Sequence, residues 1–155
     1  MMKTDLVNKL QAMIPSQIKE ISVPREERIF VRLDKEHLKK FIRYLMDEGF
    51  SHLAGITALQ DEGGFELLYH LTKKGIILTA KVDLPLNDDC VPSISDIFFA
   101  ALLYEREAHD LYGIKFEGHP NLGPLILPEG WPKSIHPLRK GKTRVKEKRG
   151  RGRLA

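Results

Sequence analysis

A single cysteine, Cys90, stands in 155 residues, and that scarcity closes off several chemistries. One thiol cannot form a disulfide framework within the chain. Nor can it hold an iron–sulfur cluster, which needs about four thiolates. Reduced, intracellular surroundings are the expectation. Long apolar runs are missing too. The longest, Ile97 to Tyr104, is far short of the ~20 residues a membrane-spanning helix requires. The N-terminus meets Asp5 without an apolar signal core, which speaks against secretion. No glycine-rich phosphate loop follows a strand, and there is neither a nucleophile elbow nor a dinucleotide fingerprint. Cys90 lies beside Asp88 and Asp89, whose charge should raise its pKa rather than activate it. Asn and Gln together number six while Lys and Glu are frequent, a lean towards heat adaptation.

What is present fits one soluble domain with a core and a tail: 42% hydrophobic and 30% charged residues are ordinary globular values. The charge is unevenly placed. Residues 1–132 carry 15 basic and 20 acidic side chains, a net of −5, whereas residues 133–155 carry 10 basic and one acidic, a net of +9. An acidic body with a basic tail implies that the tail meets an acidic surface, whether protein, nucleic acid or lipid headgroup.

The hydrophobic period changes along the chain. Leu6, Leu10 and Met13 recur at helical spacing behind Thr4 as cap, with Pro15 as the stop. Strands are expected at 18–23 and 29–33 around the turn Pro24–Arg28. Asp34 then suits the N-cap of a second helix with the stripe Leu38, Phe41, Ile42 and Leu45, which Gly49 would end in a left-handed conformation. From Leu53 to Leu84 the period becomes two, with Phe65, Leu67, Tyr69 and Leu71 on one face and Ile76, Leu78, Ala80, Val82 and Leu84 on another. Turn-rich joints at 61–64 and 73–75 separate these strands. Ser93, with Asp96 three residues on, has the pattern of a capping box opening a third helix. Ile94, Ile97, Phe98, Ala101 and Leu102 would make its first stripe, and Phe99 and Leu103 a second apolar flank. A helix apolar on two sides is usually buried between two layers, and the second layer could be another chain. The expected fold is α+β: a single domain over 1–120 with an antiparallel sheet packed with about three helices, and an extended, basic, Pro/Gly-punctuated arm over 121–155.

The end of that third helix carries five ionisable groups, Glu105, Arg106, Glu107, His109 and Asp110, before Gly113 closes it. Continuing the first stripe reaches Glu105, a costly place for a lone carboxylate. Arg106 and Asp110 are i,i+4 neighbours on the other flank, so a paired, mostly buried network is expected. A solvated helix end with weak surface pairs is the plain alternative. A metal site at Glu105 and His109 is disfavoured by Arg106 in their midst, and the remaining histidines follow no ligand spacing. A carboxylate pair for acid/base work lacks a second motif to complete it. No active site is assembled.

Several blocks in order give the sequence a resemblance: Pro92-Ser93-Ile94-Ser95; Glu105-Arg106-Glu107 with Asp110-Leu111-Tyr112-Gly113; Gly118-His119-Pro120-Asn121; Pro128-Glu129-Gly130-Trp131; and Pro137-Leu138-Arg139-Lys140. Over residues 92–140 the chain resembles the thirty-kilodalton subunit family of respiratory complex I. That family includes the corresponding subunits of membrane-bound energy-converting hydrogenases and related archaeal complexes. The resemblance implies a compact α+β subunit without a cofactor of its own, on the cytoplasmic face of the membrane. Iron–sulfur clusters, and a quinone pocket or a nickel–iron site, would belong to neighbouring subunits. The partners implied are the large catalytic subunit and the iron–sulfur subunits. The interface residues implied are Glu105, Arg106, Glu107, Asp110, Tyr112, Gly113, His119, Pro120, Trp131, Pro137, Leu138, Arg139 and Lys140. Relative to the family, Phe99 and Leu103 stand near positions often held by proline and tryptophan, and the Arg/Gly-rich finish is unusual. Which complex is meant stays open between a quinone reductase, a hydrogenase and a sulfur-reducing relative. The competing class, a nucleic-acid-binding module using the basic tail, lacks interleaved aromatics for base stacking.

Overall fold

A computed structural model describes residues 2–14 and 16–140. The first helix, α1 (Met2–Gln11), begins ahead of Thr4, so Thr4 lies inside it rather than capping it. It buries Leu6 and Leu10. Strands β1 (Glu20–Arg25) and β2 (Arg28–Leu33) form an antiparallel pair close to the expected spans.

Asp34 is not the cap of an α-helix. A 3-10 turn (Lys35–His37) intervenes, Asp34 makes no side-chain capping bond, and its carboxylate instead pairs with Lys19 at 2.8 Å. Helix α2 (Leu38–Asp47) follows and buries the whole stripe Leu38, Phe41, Ile42 and Leu45. Its end is the expected left-handed one, with Gly49 at φ +103°. The Phe50 amide donates to Leu45 O and the Gly49 amide to Met46 O, the paired bonds of a Schellman ending. Phe50, just beyond, is buried, which fixes how the chain re-enters the sheet.

The period-two region is β3 (His52–Asp61), β4 (Gly64–Lys73) and β5 (Ile76–Pro85), each antiparallel to the next. The Asp61 carboxylate accepts the amides of Gly63 and Gly64 (2.8 and 3.0 Å) and so shapes the first hairpin. The expected purely antiparallel sheet is corrected at one seam. The strand order is β1-β2-β5-β4-β3, and β2 runs parallel to β5. The reason is topological: α2 carries the chain across the sheet, and the returning meander places its last strand against β2 in the same direction. The fold is α+β, with a mixed five-stranded sheet and three α-helices among the described residues.

One sheet face bears the core: Ile29, Val31, Leu33, Leu67, Tyr69, Leu71, Leu78, Ala80 and Val82 join residues of all three helices in one buried cluster. On the other face His70 bridges Thr57 and Thr79, each at 3.0 Å. Burial, with the charge of Arg28, lowers its pKa.

The third helix starts later than the capping-box pattern implies. Residues 93–100 form turns, and α3 spans Ala101–Tyr112 with Ala100 at its N-cap and no side-chain cap. Strand β6 (Cys90–Pro92) precedes those turns and β7 (Lys115–Glu117) follows α3; the two form a small parallel sheet. Burial and the Glu117 carboxylate raise the Cys90 pKa. The direction is the expected one, but the chief causes are not the neighbouring aspartates.

Candidate subunit interface

Helix α3 packs along β3, and the Tyr104 hydroxyl donates to Ala54 O on that strand (3.2 Å). Its inner line is Ala101, Glu105 and Ala108, all buried. Glu105 is fully inaccessible, as its place on the stripe implies, yet no arginine meets it. Its carboxylate accepts the Ser93 hydroxyl at 2.6 Å and the Ile94 amide at 2.8 Å. Ser93 therefore serves as a donor to α3 from outside it, not as its cap. Ser93 Oγ in turn accepts the Ser95 amide (3.1 Å). Asp96, the other half of the expected capping box, pairs with Lys39 and Arg43 of α2. Burial pushes the Glu105 carboxyl up to about 7, against the pull of the two hydrogen bonds. A buried acid with donors but no cation is poised between its two states.

The expected Arg106–Asp110 pair is not made; each side chain turns to the segment that follows β7. Arg106 donates to Gly123 O (3.1 Å) and Pro124 O (2.5 Å). Asp110, itself buried, accepts the amides of Leu125 (2.8 Å), Ile126 (2.8 Å) and Leu127 (3.3 Å). Cation meets carbonyls and anion meets amides, so a stretch without periodicity is fixed through its backbone. His119 completes the anchoring. Its Nδ1 accepts the Asn121 amide (3.0 Å), which leaves Nε2 to donate to Leu102 O (2.9 Å).

The C-terminal end of α3 is locked in the same manner. Gly113 adopts φ +77°, and a Cβ there would lie 2.6 Å from His136 Cδ2 and 2.9 Å from an Arg139 nitrogen. A side chain is excluded on both counts. The Leu138 amide donates to Leu111 O (2.9 Å). Arg139 donates to Asp89 (2.9 Å) and Tyr112 O (3.2 Å) and lies over the Phe65 ring, which Tyr112 meets edge-on. Lys140 exchanges two hydrogen bonds with the Gln60 side chain. The Trp131 indole donates to Ile135 O (2.7 Å), while Glu107 and Pro120 are exposed and Pro137 is half-buried.

With Arg106 and Asp110 directed along the backbone, the outer flank keeps one exposed charge, Glu107, beside large apolar side chains. Phe99 is 83% exposed, Leu103 54%, Ile126 48% and Leu125 41%. Arg106 and Asp110 hold the last two beside α3. Large apolar side chains exposed beside a backbone fixed in this way suit a contact surface. The second apolar flank was legible in the sequence. Leu125 and Ile126 were not singled out there, although the run Pro124-Leu125-Ile126-Leu127 is an apolar patch in an otherwise polar connection. Ser93 and Ile94 as partners of Glu105, and Asp89 and Gln60 as anchors of residues 139 and 140, have no sequence signal, because those contacts cross the fold. Among the described residues no group of three or more His, Cys, Asp or Glu could hold a metal ion, and no helix is long and apolar enough to cross a membrane.

Comparison with known proteins bears on the same region. The family described as "Respiratory-chain NADH dehydrogenase, 30 Kd subunit" matches residues 31–148. The membrane-bound hydrogenase subunit beta of Pyrococcus furiosus is 33% identical over 95% of this chain and 90% of its own length. A subunit of the F(420)H(2) dehydrogenase of Methanosarcina mazei is 31% identical, over 82% of this chain and 86% of its own. Among solved structures, a chain of the membrane-bound sulfane sulfur reductase, an archaeal respiratory membrane complex, superposes with a TM-score of 0.78 at 28% identity. It covers 94% of this chain and 90% of that one. These relatives are subunits of respiratory complexes, and the nucleic-acid reading of the basic tail finds no support among them. A match over this much of the sequence, from β2 past the anchored segment, means that the chain belongs to the thirty-kilodalton subunit family of the respiratory-chain NADH dehydrogenase.

Proposed function

We propose that the chain is the cofactor-free bracing subunit of a membrane-associated, ion-translocating oxidoreductase complex, and that the outer flank of α3 is where its large catalytic partner docks. The observation that carries this reading is the polarity at α3: a buried carboxylate on the inside, exposed Leu103 on the outside, and exposed Phe99 in the turn just before the helix. Glu105, Arg106, Asp110 and His119 act from beneath, holding the backbone that presents the apolar groups. Tyr112, Gly113, Leu138 and Arg139 border the C-terminal end of the helix, and Glu107, Pro120, Trp131, Pro137 and Lys140 complete the proposed contact. The iron–sulfur clusters, and a quinone pocket or nickel–iron site, reside in neighbouring chains on this reading. The assembly sits on the cytoplasmic face of the membrane. The relatives named above support a complex of the hydrogenase-like, F(420)H(2)-oxidising or sulfur-reducing kind, with a quinone reductase as the equal alternative. The arm beyond Lys140, which lies outside the described residues, carries the positive charge that an acidic neighbour would accept.

Purification of the tagged chain from native membranes tests this reading. A large subunit and iron–sulfur subunits should co-migrate with it, and the separated chain should carry neither iron nor flavin in stoichiometric amount. Isolation of the chain alone from mild detergent extracts, or with a bound chromophore of its own, would contradict it.

A further inference from the structure

The two edges of the five-stranded sheet are finished differently. At one edge β1 is six residues long, carries Pro24, breaks register between Ser22 and Arg25, and exposes Glu20 and Arg25. These are the usual guards against a further strand. At the other edge β3 runs for ten residues, and from Leu53 to Gln60 it holds neither a proline nor a charge. Its bulge lies at the far end, between Leu53 and Gly55. The tight hairpin at 62–63 makes Asp61 and Gly64 a hydrogen-bonded pair, so Leu59, Thr57 and Gly55 bond to β4. Ile56, Ala58 and Gln60 then turn their amides and carbonyls outwards. Among the described residues nothing outside the sheet bonds to the backbone of Ile56 or Ala58.

Both ends of this open stretch are occupied. The Tyr104 hydroxyl takes Ala54 O at one end. At the other, Gln60 Nε2 donates to Lys140 O (3.0 Å), and the Lys140 amide donates to Gln60 Oε1 (2.6 Å). The backbone of Lys140 is thus held at the level of Gln60, and the residues after it lie outside the described ones. Between the two ends a groove of about 190 Å³ follows the edge, lined among others by Ile56, Ala58, Ala108, Leu111 and Leu138. Glu107 borders it, exposed and in no ion pair among the described residues.

We propose that the free edge of β3 is the docking site of the chain's own segment 141–146, which adds to it as a sixth, antiparallel strand with its cations beside Glu107. The sequence after Lys140 is Gly-Lys-Thr-Arg-Val-Lys. It sets a cation at every second place, with β-branched Thr143 and Val145 between and no proline. With Lys140 opposite Gln60, Lys142 falls opposite Ala58 and Arg144 opposite Ile56. Opposite residues share a sheet face, so both cations lie on the helix side, where Glu107 stands. Thr143 falls opposite Thr57 on the other face, beside Leu59, which is 48% exposed. Lys146 reaches the level of Ala54, where Tyr104 ends the open stretch. Backbone bonds to Ile56 and Ala58 supply what a lone basic segment lacks to offset its ordering. Lys148, Arg149, Arg151 and Arg153 are left for a neighbour, and the added strand does not depend on the docking proposed above.

Amide exchange of the full-length chain, alone and dilute, tests the added strand. The outward amides of Ile56 and Ala58 should be protected as in an inner strand. Arg144→Pro, which removes the amide aimed at Ile56, should speed both by at least about tenfold while Leu67 and Tyr69 of β4 keep their rates. In the unaltered chain the α-protons of Thr57 and Thr143 should show a cross-strand nuclear Overhauser contact, as a pair not joined by hydrogen bonds does. Equal rates for Ile56 and Ala58 in the unaltered chain and in Arg144→Pro, or no contact between Thr57 and Thr143, would overturn the proposal. Protection that grows with chain concentration would give the edge to a second copy. Protection gained only within the purified complex would give it to a partner's segment, and either result overturns the assignment to residues 141–146.

Discussion

The inner line and the outer flank of α3 have exchanged their usual contents. Inside, where the period calls for an aliphatic side chain, sits Glu105 with a hydroxyl and an amide for company. Outside, where a solvated helix would show charge, Phe99 and Leu103 face water. Of the charges on that outer side Glu107 is exposed, while Arg106 and Asp110 are directed to the backbone of residues 123–127. The difference teaches that the two sides answer to different demands. The inner side is satisfied within the chain. The outer side leaves large apolar side chains in water, as the proposed docking requires.

The largest effect on folding is expected at Glu105. Replacing it with Ala strands the Ser93 hydroxyl and the Ile94 amide and leaves a void, at a cost of about 2–4 kcal/mol. Denaturant unfolding at pH 6, where the acid is mostly neutral, measures this without the cost of a buried charge. A loss below about 1 kcal/mol would mean that the inner line tolerates an empty site.

Asp110→Ala should come next, at about 2 kcal/mol, since hydrogen bonds to a charged acceptor exceed neutral ones. Its signature is local: amides 125–127 should exchange faster while the sheet is unaffected. Protection of those amides equal to that of the unaltered chain would remove Asp110 as their anchor.

Arg106→Ala is expected to cost the least, about 1 kcal/mol, because it loses bonds to partly exposed carbonyls. The paired network that the sequence suggests would make the same substitution cost about 3–5 kcal/mol by stranding buried carboxylates. Thermal unfolding of this one variant therefore separates the two arrangements.

That contrast shows where the sequence is readable. The burial of Glu105 follows from its stripe, because helical period is a local property. The fate of Arg106 does not, because i,i+4 spacing offers Asp110 as a partner while the real acceptors, Gly123 and Pro124, lie in a segment with no period. The same division runs through the fold. The α2 stripe, its left-handed Gly49 and the alternation of β3 to β5 were all legible. The parallel contact of β2 with β5 was not, since it joins segments about 50 residues apart through a choice that neither strand encodes. Ser93 is the instructive error. Its spacing to Asp96 satisfies a capping pattern, yet its hydroxyl has a stronger acceptor in a buried carboxylate twelve residues on.

The most direct test of the central claim, that the apolar flank of α3 is a docking surface, is retention of a Phe99→Asp/Leu103→Asp double variant in the complex. Both side chains are exposed, so the isolated chain should unfold within about 2 °C of the unaltered one. Desolvating two carboxylates at an apolar contact should weaken assembly by at least about 3 kcal/mol. The account therefore expects a folded variant that is missing from the purified complex. A folded variant that co-purifies as fully as the unaltered chain would contradict it.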